Sequence, residues 1–327
     1  MTNLSRVLVT GANGFVGDAL CQTLCQRGYA VRAAIRALWN DTDASSGRIE
    51  PVIVGSLTGE TDWRSSLAGV ETVVHLAART HTTGERGQHA LARYRQINVE
   101  ATERLARTAL ACGVKRFVFM SSIKVNGERT FATAFTESDM PHPEDAYGIS
   151  KWEAEQSLAR IADESDMQRV VLRAPLVYGP GVKANFLRLM QWIARGTPLP
   201  LAMVRNRRSL IYVGNLVDAI VSCIAAPVVA NKTYLVSDGE DVSTPDLIRA
   251  LAAALDVPAR LFPFPTPALR LAGALLGKGA EIARLTESLQ VDSTPIRSEL
   301  DWRPPFRLAD GLQQTARCYR NSSEMRA

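Results

Sequence analysis

The sequence predicts an α/β fold, a doubly wound parallel sheet that carries a second, smaller α/β domain. Three observations predict it. The apolar run Val7-Leu8-Val9 passes through a glycine turn, Gly11 to Gly17, directly into a helical pattern. Strand-like apolar runs and helical segments then alternate as far as Leu172, as repeated strand-helix units do. Beyond Pro175 that rhythm breaks into short helical stretches between proline-rich joints.

In chain order, the first helix runs from Ala19-Leu20 through Leu24 and stops at Gly28. Ala30 to Ile35, Val52-Ile53-Val54 and Thr72 to Leu76 read as the next strands. A long helix over Leu91 to Ala111, ended by Gly113, leads into the strand Phe117 to Met120. Tyr147 opens a helix that continues to about Ser165, and Val170-Val171-Leu172 is the sixth strand. Further on, helices are expected over Ala184 to Arg195 and Pro245 to Leu255, the latter with Thr244 as its cap and a proline in its first turn. The boundaries that follow are 1–175 with 208–238 for the nucleotide-binding unit and 176–207 with 239–327 for a substrate unit, the substrate lying in the crevice between them. Pro263 to Leu285 is apolar with interspersed Arg270, Lys278 and Arg284; its glycines and prolines interrupt the period, so it is expected to pack within the small domain rather than lie on a membrane.

Three local patterns carry chemistry. Gly11 permits a tight turn, Gly14 lets backbone approach a pyrophosphate, and Gly17 lets the helix pack closely on the strand, while the free N–H groups at the helix start face phosphates. Asn13, Phe15 and Val16 complete that turn. Tyr147 and Lys151 stand four apart on a helix start and so share a face. A phenol titrates near ~10, and a cation one turn away favours the phenolate, which suits it to acid/base work. Ser121-Ser122 ends the Phe117 strand, where an open α/β sheet presents its ligand edge; Ser121 reads equally as a plain strand end.

Composition excludes several classes. A net charge of +5 favours anionic ligands without forming a basic tract, so nucleic-acid binding is not expected. No charged-then-apolar leader precedes the first strand, and the scattered cysteines Cys21, Cys25, Cys112, Cys223 and Cys318 read as reduced thiols of a cytoplasmic protein with no integral membrane span. His75, His81, His89 and His142 are equally scattered, and no metal is expected.

Together the glycine turn, the Ser-Ser strand end and the Tyr-x-x-x-Lys helix resemble the extended short-chain dehydrogenase/reductase family, in its nucleotide-sugar branch of UDP-galactose 4-epimerase-like enzymes. Val177-Tyr178-Gly179-Pro180, Arg208 to Val213 and Val291-Asp292-Ser293 extend the likeness over nearly the whole chain. The resemblance implies a Rossmann domain with Tyr147 as acid/base, Lys151 holding the nicotinamide ribose and depressing the tyrosine pKa, and Ser122 binding the reacting sugar oxygen. It places Ser56, Leu57, Leu76, Ala77, Ala78 and Asn98 around the cofactor, although Ser56 stands where the family usually has Asp. Arg208 matches the residue that clamps the sugar-nucleotide diphosphate, and Asn185 and Phe186 the helix start beside the uridine. Lys124 and Asn126 would border the sugar, although a solvated loop residue is the stronger reading of Lys124. A homodimer through the Leu91–Ala111 and Tyr147 helices fits the same likeness.

Arg36 ends the second strand, and no carboxylate appears until Asp41. Guanidinium there can pair with a 2′-phosphate, which favours NADP(H), with NAD(H) possible if Arg36 only stacks on adenine. Family members that eliminate water place Asp-Glu directly after the hydroxyl matching Ser122, whereas this chain has Ile123-Lys124. Dehydration is therefore not expected. The cofactor argument favours reduction of the C4 ketone of a UDP-linked 4-keto-6-deoxy amino sugar, as in bacterial surface-polysaccharide synthesis. The alternatives are an NAD-dependent UDP-hexose or UDP-N-acetylhexosamine 4-epimerase and, further off, an NADP(H) sensor without turnover.

Overall fold

A computed structural model of the chain describes residues 5–37, 49–80, 88–227 and 231–324. Strand β1 (Arg6–Thr10) leads through the glycine turn into α1 (Phe15–Gln26), followed by β2 (Ala30–Ile35), β3 (Ile49–Ile53), α2 (Arg64–Leu67) and β4 (Thr72–His75). Helices α3 (Gln88–Arg95) and α4 (Ala101–Ala111) are joined by a π-helical turn, Gln96–Glu100. Then come β5 (Arg116–Ser122), a 3₁₀ turn at Ile123–Val125, α5 (Ala146–Asp163), β6 (Gln168–Ala174) and β7 (Leu176–Tyr178). The remainder is α6 (Ala184–Ala194), β8 (Leu210–Tyr212), α7 (Val213–Ala225), β9 (Lys232–Leu235), α8 (Thr244–Leu255), α9 (Thr266–Leu275), α10 (Gly279–Thr286), α11 (Thr294–Leu300) and α12 (Leu308–Glu324).

Seven strands form one parallel sheet in the order β3-β2-β1-β4-β5-β6-β9, a Rossmann-like α/β fold. The middles of its central strands, such as Val7-Leu8-Val9 and Val170-Val171-Leu172, are apolar because helices cover both faces. Alternate β1 side chains serve the two layers: Val7 and Val9 pack with Leu20 and Leu24, whereas Leu8 packs with Val73, Phe117 and Leu158. Truncating a fully buried leucine such as Leu8 to alanine costs about 2–5 kcal/mol. The strand order reverses between β1 and β4, the place where open α/β sheets bind ligands at the carboxyl ends of their strands.

Several boundaries differ from the sequence reading. The third strand starts at Ile49 and takes in Pro51, which an edge strand tolerates. Strand β9, short and partly polar, was not anticipated as a strand. Ser243 rather than Thr244 caps α8: its Oγ accepts from the Asp246 amide at 3.2 Å, while the Thr244 hydroxyl donates to the Leu285 carbonyl at 2.8 Å. The short parallel pair β7–β8 crosses the boundaries drawn at 176 and 208, and one apolar cluster runs from Val7 on β1 to Leu251 on α8 and Leu312 on α12.

The segment expected to pack within the small domain does so on one face only. Leu269 and Gly273 are buried, with Gly273 close against Ile282, yet Leu271, Leu275 and Leu276 are exposed. Among the described residues no helix is long and apolar enough to cross a membrane.

Candidate active site

The glycine turn is tight for a reason the coordinates make plain. A Cβ at Gly17 would sit 2.1 Å from the Gly11 carbonyl oxygen, and one at Gly11, whose φ is +67°, would sit 2.9 Å from the Ala77 nitrogen. Thr10 ties this turn to β4: its hydroxyl accepts from the Ala77 amide at 3.2 Å and meets His75 Nδ1 at 2.6 Å. Gly14 caps α1 with no side chain closing the first-turn amides. An uncapped helix start behind a bare backbone turn fits the pyrophosphate of a dinucleotide.

The other cofactor candidates lie along the same sheet edge. Asn13 is exposed, and Phe15 and Val16 are half-buried. Arg36 is exposed just beyond β2, Ser56 is exposed beyond β3 with Leu57 half-buried beside it, and Leu76, Ala77 and Ala78 follow β4. Asp41 and His81 lie outside the described residues.

Tyr147, Lys151 and Ser122 come together at the end of β5. Ser122, half-buried, hydrogen-bonds the Tyr147 hydroxyl. Lys151 is 2% exposed, with its Nζ 3.9 Å from the centroid of the Phe119 ring on β5. Desolvation lowers the Lys151 pKa to about 7, partly offset by Glu155. The phenol departs from expectation: burial, with Asp145 adding to it, pushes Tyr147 up, and the Ser122 hydrogen bond only partly opposes this. A lysine one turn away does not by itself lower the phenol, because the same dry pocket penalises both charges.

The start of α5 is pinned from several sides. Asp145 Oδ1 accepts from the Gly148 amide at 2.7 Å, and its Oδ2 takes an ion pair from Lys124 Nζ at 2.6 Å. Lys124 also binds Glu128 at 2.6 Å, so its ammonium is committed to two carboxylates rather than held out to a sugar. Asn98 lies in the π turn, buried; its Nδ2 donates to Ser150 Oγ at 2.9 Å and its Oδ1 accepts from the Arg79 amide at 2.7 Å. Ser150 in turn donates to the Tyr147 carbonyl at 2.8 Å. Asn98 therefore steadies the start of α5, and a π turn is how a helix presents such an extra side chain.

Behind Lys151 lies a buried charge pair. Arg173 on β6 and Glu155 on α5 meet at 2.6 Å with side chains 4% and 3% exposed. Ser121 donates to Glu155, so it braces the charge pair and the strand-end reading holds. Arg173 also donates to Asn126 Oδ1 at 2.9 Å, while Asn126 Nδ2 donates to the Thr136 carbonyl at 2.8 Å. Asn126 is buried with both ends of its amide so engaged, which removes it from the sugar contacts expected for it.

At the far side, Arg208 is half-buried with one hydrogen bond from Nη1 to the Glu287 carbonyl at 3.1 Å, and desolvation lowers its pKa. Asn185 is exposed at the start of α6, whereas Phe186 turns inward and stacks on Tyr178 at 5.5 Å. Only Asn185 of that pair offers a side chain to a ligand. Among the described residues no group of three or more His, Cys, Asp or Glu could hold a metal.

Sequence reasoning passed over Glu155, Asp145 and His75. Asp145 precedes a helix start as a cap does, a signal that was there to read, whereas Glu155 shares the helix face of Tyr147 and Lys151 but shows its role only once Arg173 packs against it. His75, buried between Thr10 and Thr102, is held near pKa 3 by desolvation and by Lys151, and so stays neutral.

The profile of the NAD dependent epimerase/dehydratase family matches residues 7–237. The chain is 44% identical to a UDP-glucose 4-epimerase of Vibrio cholerae over 96% of its own length and 95% of the relative's. It is 26% identical to the N-acetyl-α-D-glucosaminyl-diphospho-ditrans,octacis-undecaprenol 4-epimerase of Escherichia coli O157:H7, over 94% and 93% of the two chains. Among solved structures it is similar to MoeE5 in complex with UDP-glucuronic acid and NAD, with a TM-score of 0.79, 26% identity, and coverage of 97% of this chain and 100% of that one.

Proposed function

The chain belongs to the NAD dependent epimerase/dehydratase family, and we propose that within it this protein inverts C4 of a UDP-linked hexose, with NAD retained through the cycle. The observation that carries this reading is a lone proton carrier. Tyr147 and Ser122 are hydrogen-bonded above buried Lys151, while Ile123 is buried and Lys124 ion-paired where an eliminating enzyme needs a further acid and base. The Vibrio cholerae relative supports inversion over the net reduction expected from Arg36.

NAD fits the open amides of Phe15 and Val16, the Ala77-Ala78 edge and Lys151; when bound it supplies a reversible hydride acceptor and a positive charge. Ser122 Oγ holds the sugar O4, Tyr147 Oη takes its proton, and Lys151 stabilises the phenolate until the proton returns. Arg208 and Asn185 would meet the diphosphate and uridine. A second reading, NADP(H)-dependent reduction of a 4-keto sugar, is favoured by exposed Arg36 alone. A homodimer through α3–α4 and α5 belongs with either.

The test offers purified protein UDP-glucose and UDP-N-acetylglucosamine without added cofactor, and separately a UDP-4-keto-6-deoxy amino sugar with NADPH. Inversion at C4 in the first arm is expected. Stoichiometric NADPH oxidation with no inversion would replace epimerisation with the second reading.

A further inference from the structure

The α9–α10 hairpin carries a patch that the candidate site does not use. Leu271, Leu275 and Leu276 are 63%, 80% and 73% exposed, and Phe262 just before the hairpin is 42% exposed. Leu271 and Leu275 stand four apart and so share one helix face, with Leu276 beside them at the helix end. The opposite face is spent on the molecule: Leu269 is buried, and a Cβ on Gly273 would lie 2.6 Å from Ile282. A soluble surface gains nothing from three neighbouring exposed leucines.

Charge says what covers them. From Val257 to Ala280 the chain contains no acidic residue, while Arg260, Arg270 and Lys278 punctuate the same stretch. Lys278 is exposed beside the leucines, whereas Arg270, also exposed, turns back to donate to Thr286 Oγ1 at 3.2 Å and lies 3.9 Å from the Glu287 carboxylate. An apolar face edged by cations complements a surface that is apolar inside and anionic at its rim, which describes a bilayer with acidic headgroups. A protein partner of ordinary surface would need the apolar patch alone. We propose that the α9–α10 tip docks on an anionic phospholipid membrane surface, inserting Leu271, Leu275 and Leu276 among the headgroups with Lys278 on lipid phosphates.

The hairpin base fixes what docking would orient. Thr244 donates to the Leu285 carbonyl at 2.8 Å, Asn206 to the Glu287 carbonyl at 3.1 Å, and Arg208 to that same carbonyl at 3.1 Å. The membrane contact is thus tied through α10 to the segment bearing Arg208. The inference stands apart from the sugar reaction, since its patch shares no residue with the Tyr147 site and is read by binding.

Flotation of the full chain with vesicles of phosphatidylcholine alone, and of phosphatidylcholine mixed with phosphatidylglycerol, tests it. The protein should float with the mixed vesicles, less with the neutral ones, and less again at high salt. Leu275→Ser with Leu276→Ser should weaken partition at least about tenfold, and Lys278→Ala about fivefold. Both variants should keep the wild-type melting temperature and the wild-type turnover of a soluble sugar nucleotide. Failure of the wild type to float with mixed vesicles, or undiminished flotation of the double variant, overturns the proposal. So does a concentration-dependent dimer in sedimentation that the double variant loses, because the patch is then an interface between copies.

Discussion

Replacing Glu155 with glutamine tests the support behind Lys151. The side chain keeps its shape, and Ser121 and Arg173 can still reach an amide oxygen, but the Arg173 guanidinium loses the carboxylate it is paired with in a site 4% exposed. Breaking one partner of a buried pair costs about 3–5 kcal/mol. For a chain of 327 residues the unfolding entropy is about 0.7 kcal/mol per kelvin, so the melting temperature should fall by about 4–7 °C. A second readout separates catalysis from stability. Glu155 raises the pKa of Lys151, which burial lowers to about 7 even with that carboxylate in place. Without the carboxylate, less of Lys151 is ammonium at neutral pH, and the limb of the pH–rate profile belonging to that group should move to lower pH. Differential scanning calorimetry and a pH profile of kcat check both. A melting point within a degree of wild type, with an unmoved profile, would refute the reasoning; exchanging Glu155 and Arg173 together for apolar residues should recover much of the lost stability.

Four other outcomes are expected. Tyr147→Phe should lower kcat about 10²–10⁴-fold with little change in melting temperature, and unchanged turnover would remove Tyr147 as the proton carrier. Gly17→Ala forces a Cβ to within 2.1 Å of the Gly11 carbonyl, so it should cost about 1–3 kcal/mol and weaken dinucleotide binding, read by calorimetry and titration. His75 has its pKa lowered from 6.5 to about 3, so the unfolded chain binds the extra proton between those values and stability falls with pH across that window, by up to about 1.4 kcal/mol per unit. Urea midpoints of wild type and His75→Asn should therefore converge as pH drops through that range, and parallel curves would contradict the assignment. Arg36→Asp should weaken NADPH binding more than NADH binding; equal losses would mean that Arg36 does not face the 2′ position.

What was legible in the sequence was what the chain decides locally. The strand, glycine turn and helix at the start declare themselves because a turn that tight needs residues without a Cβ at Gly11 and Gly17. Tyr147 and Lys151 were visible because helical spacing alone puts them on one face. Glu155 has the same spacing but reads as a surface carboxylate until Arg173, from the next strand, is brought against it, and that meeting is tertiary. Lys124, Asn126 and Phe186 show the converse. Their positions in the chain placed them beside the pocket, but the 3₁₀ turn and the packing of α6 set their directions. Lys124 goes to Asp145 and Glu128, Asn126 to Arg173, and Phe186 to Tyr178. The effect of burial on Tyr147 was equally out of reach, since spacing carries no information about how dry a pocket is.

The π turn at Gln96–Glu100 uses one residue more than an α-helix needs for the same rotation. Each residue advances an α-helix by about 100°, and the wider turn spreads that rotation over the extra residue, so α3 turns Ala90 and Tyr94 inward while α4 turns Leu105, Ala106 and Ala109 inward. Removing one residue from the turn would rewind it to regular helix and leave both flanks on their faces, but Asn98 would lose the bulge that presents it to Ser150. A single-residue deletion there should leave the fold standing and loosen the start of α5, so the extra residue serves the site rather than the helix that carries it.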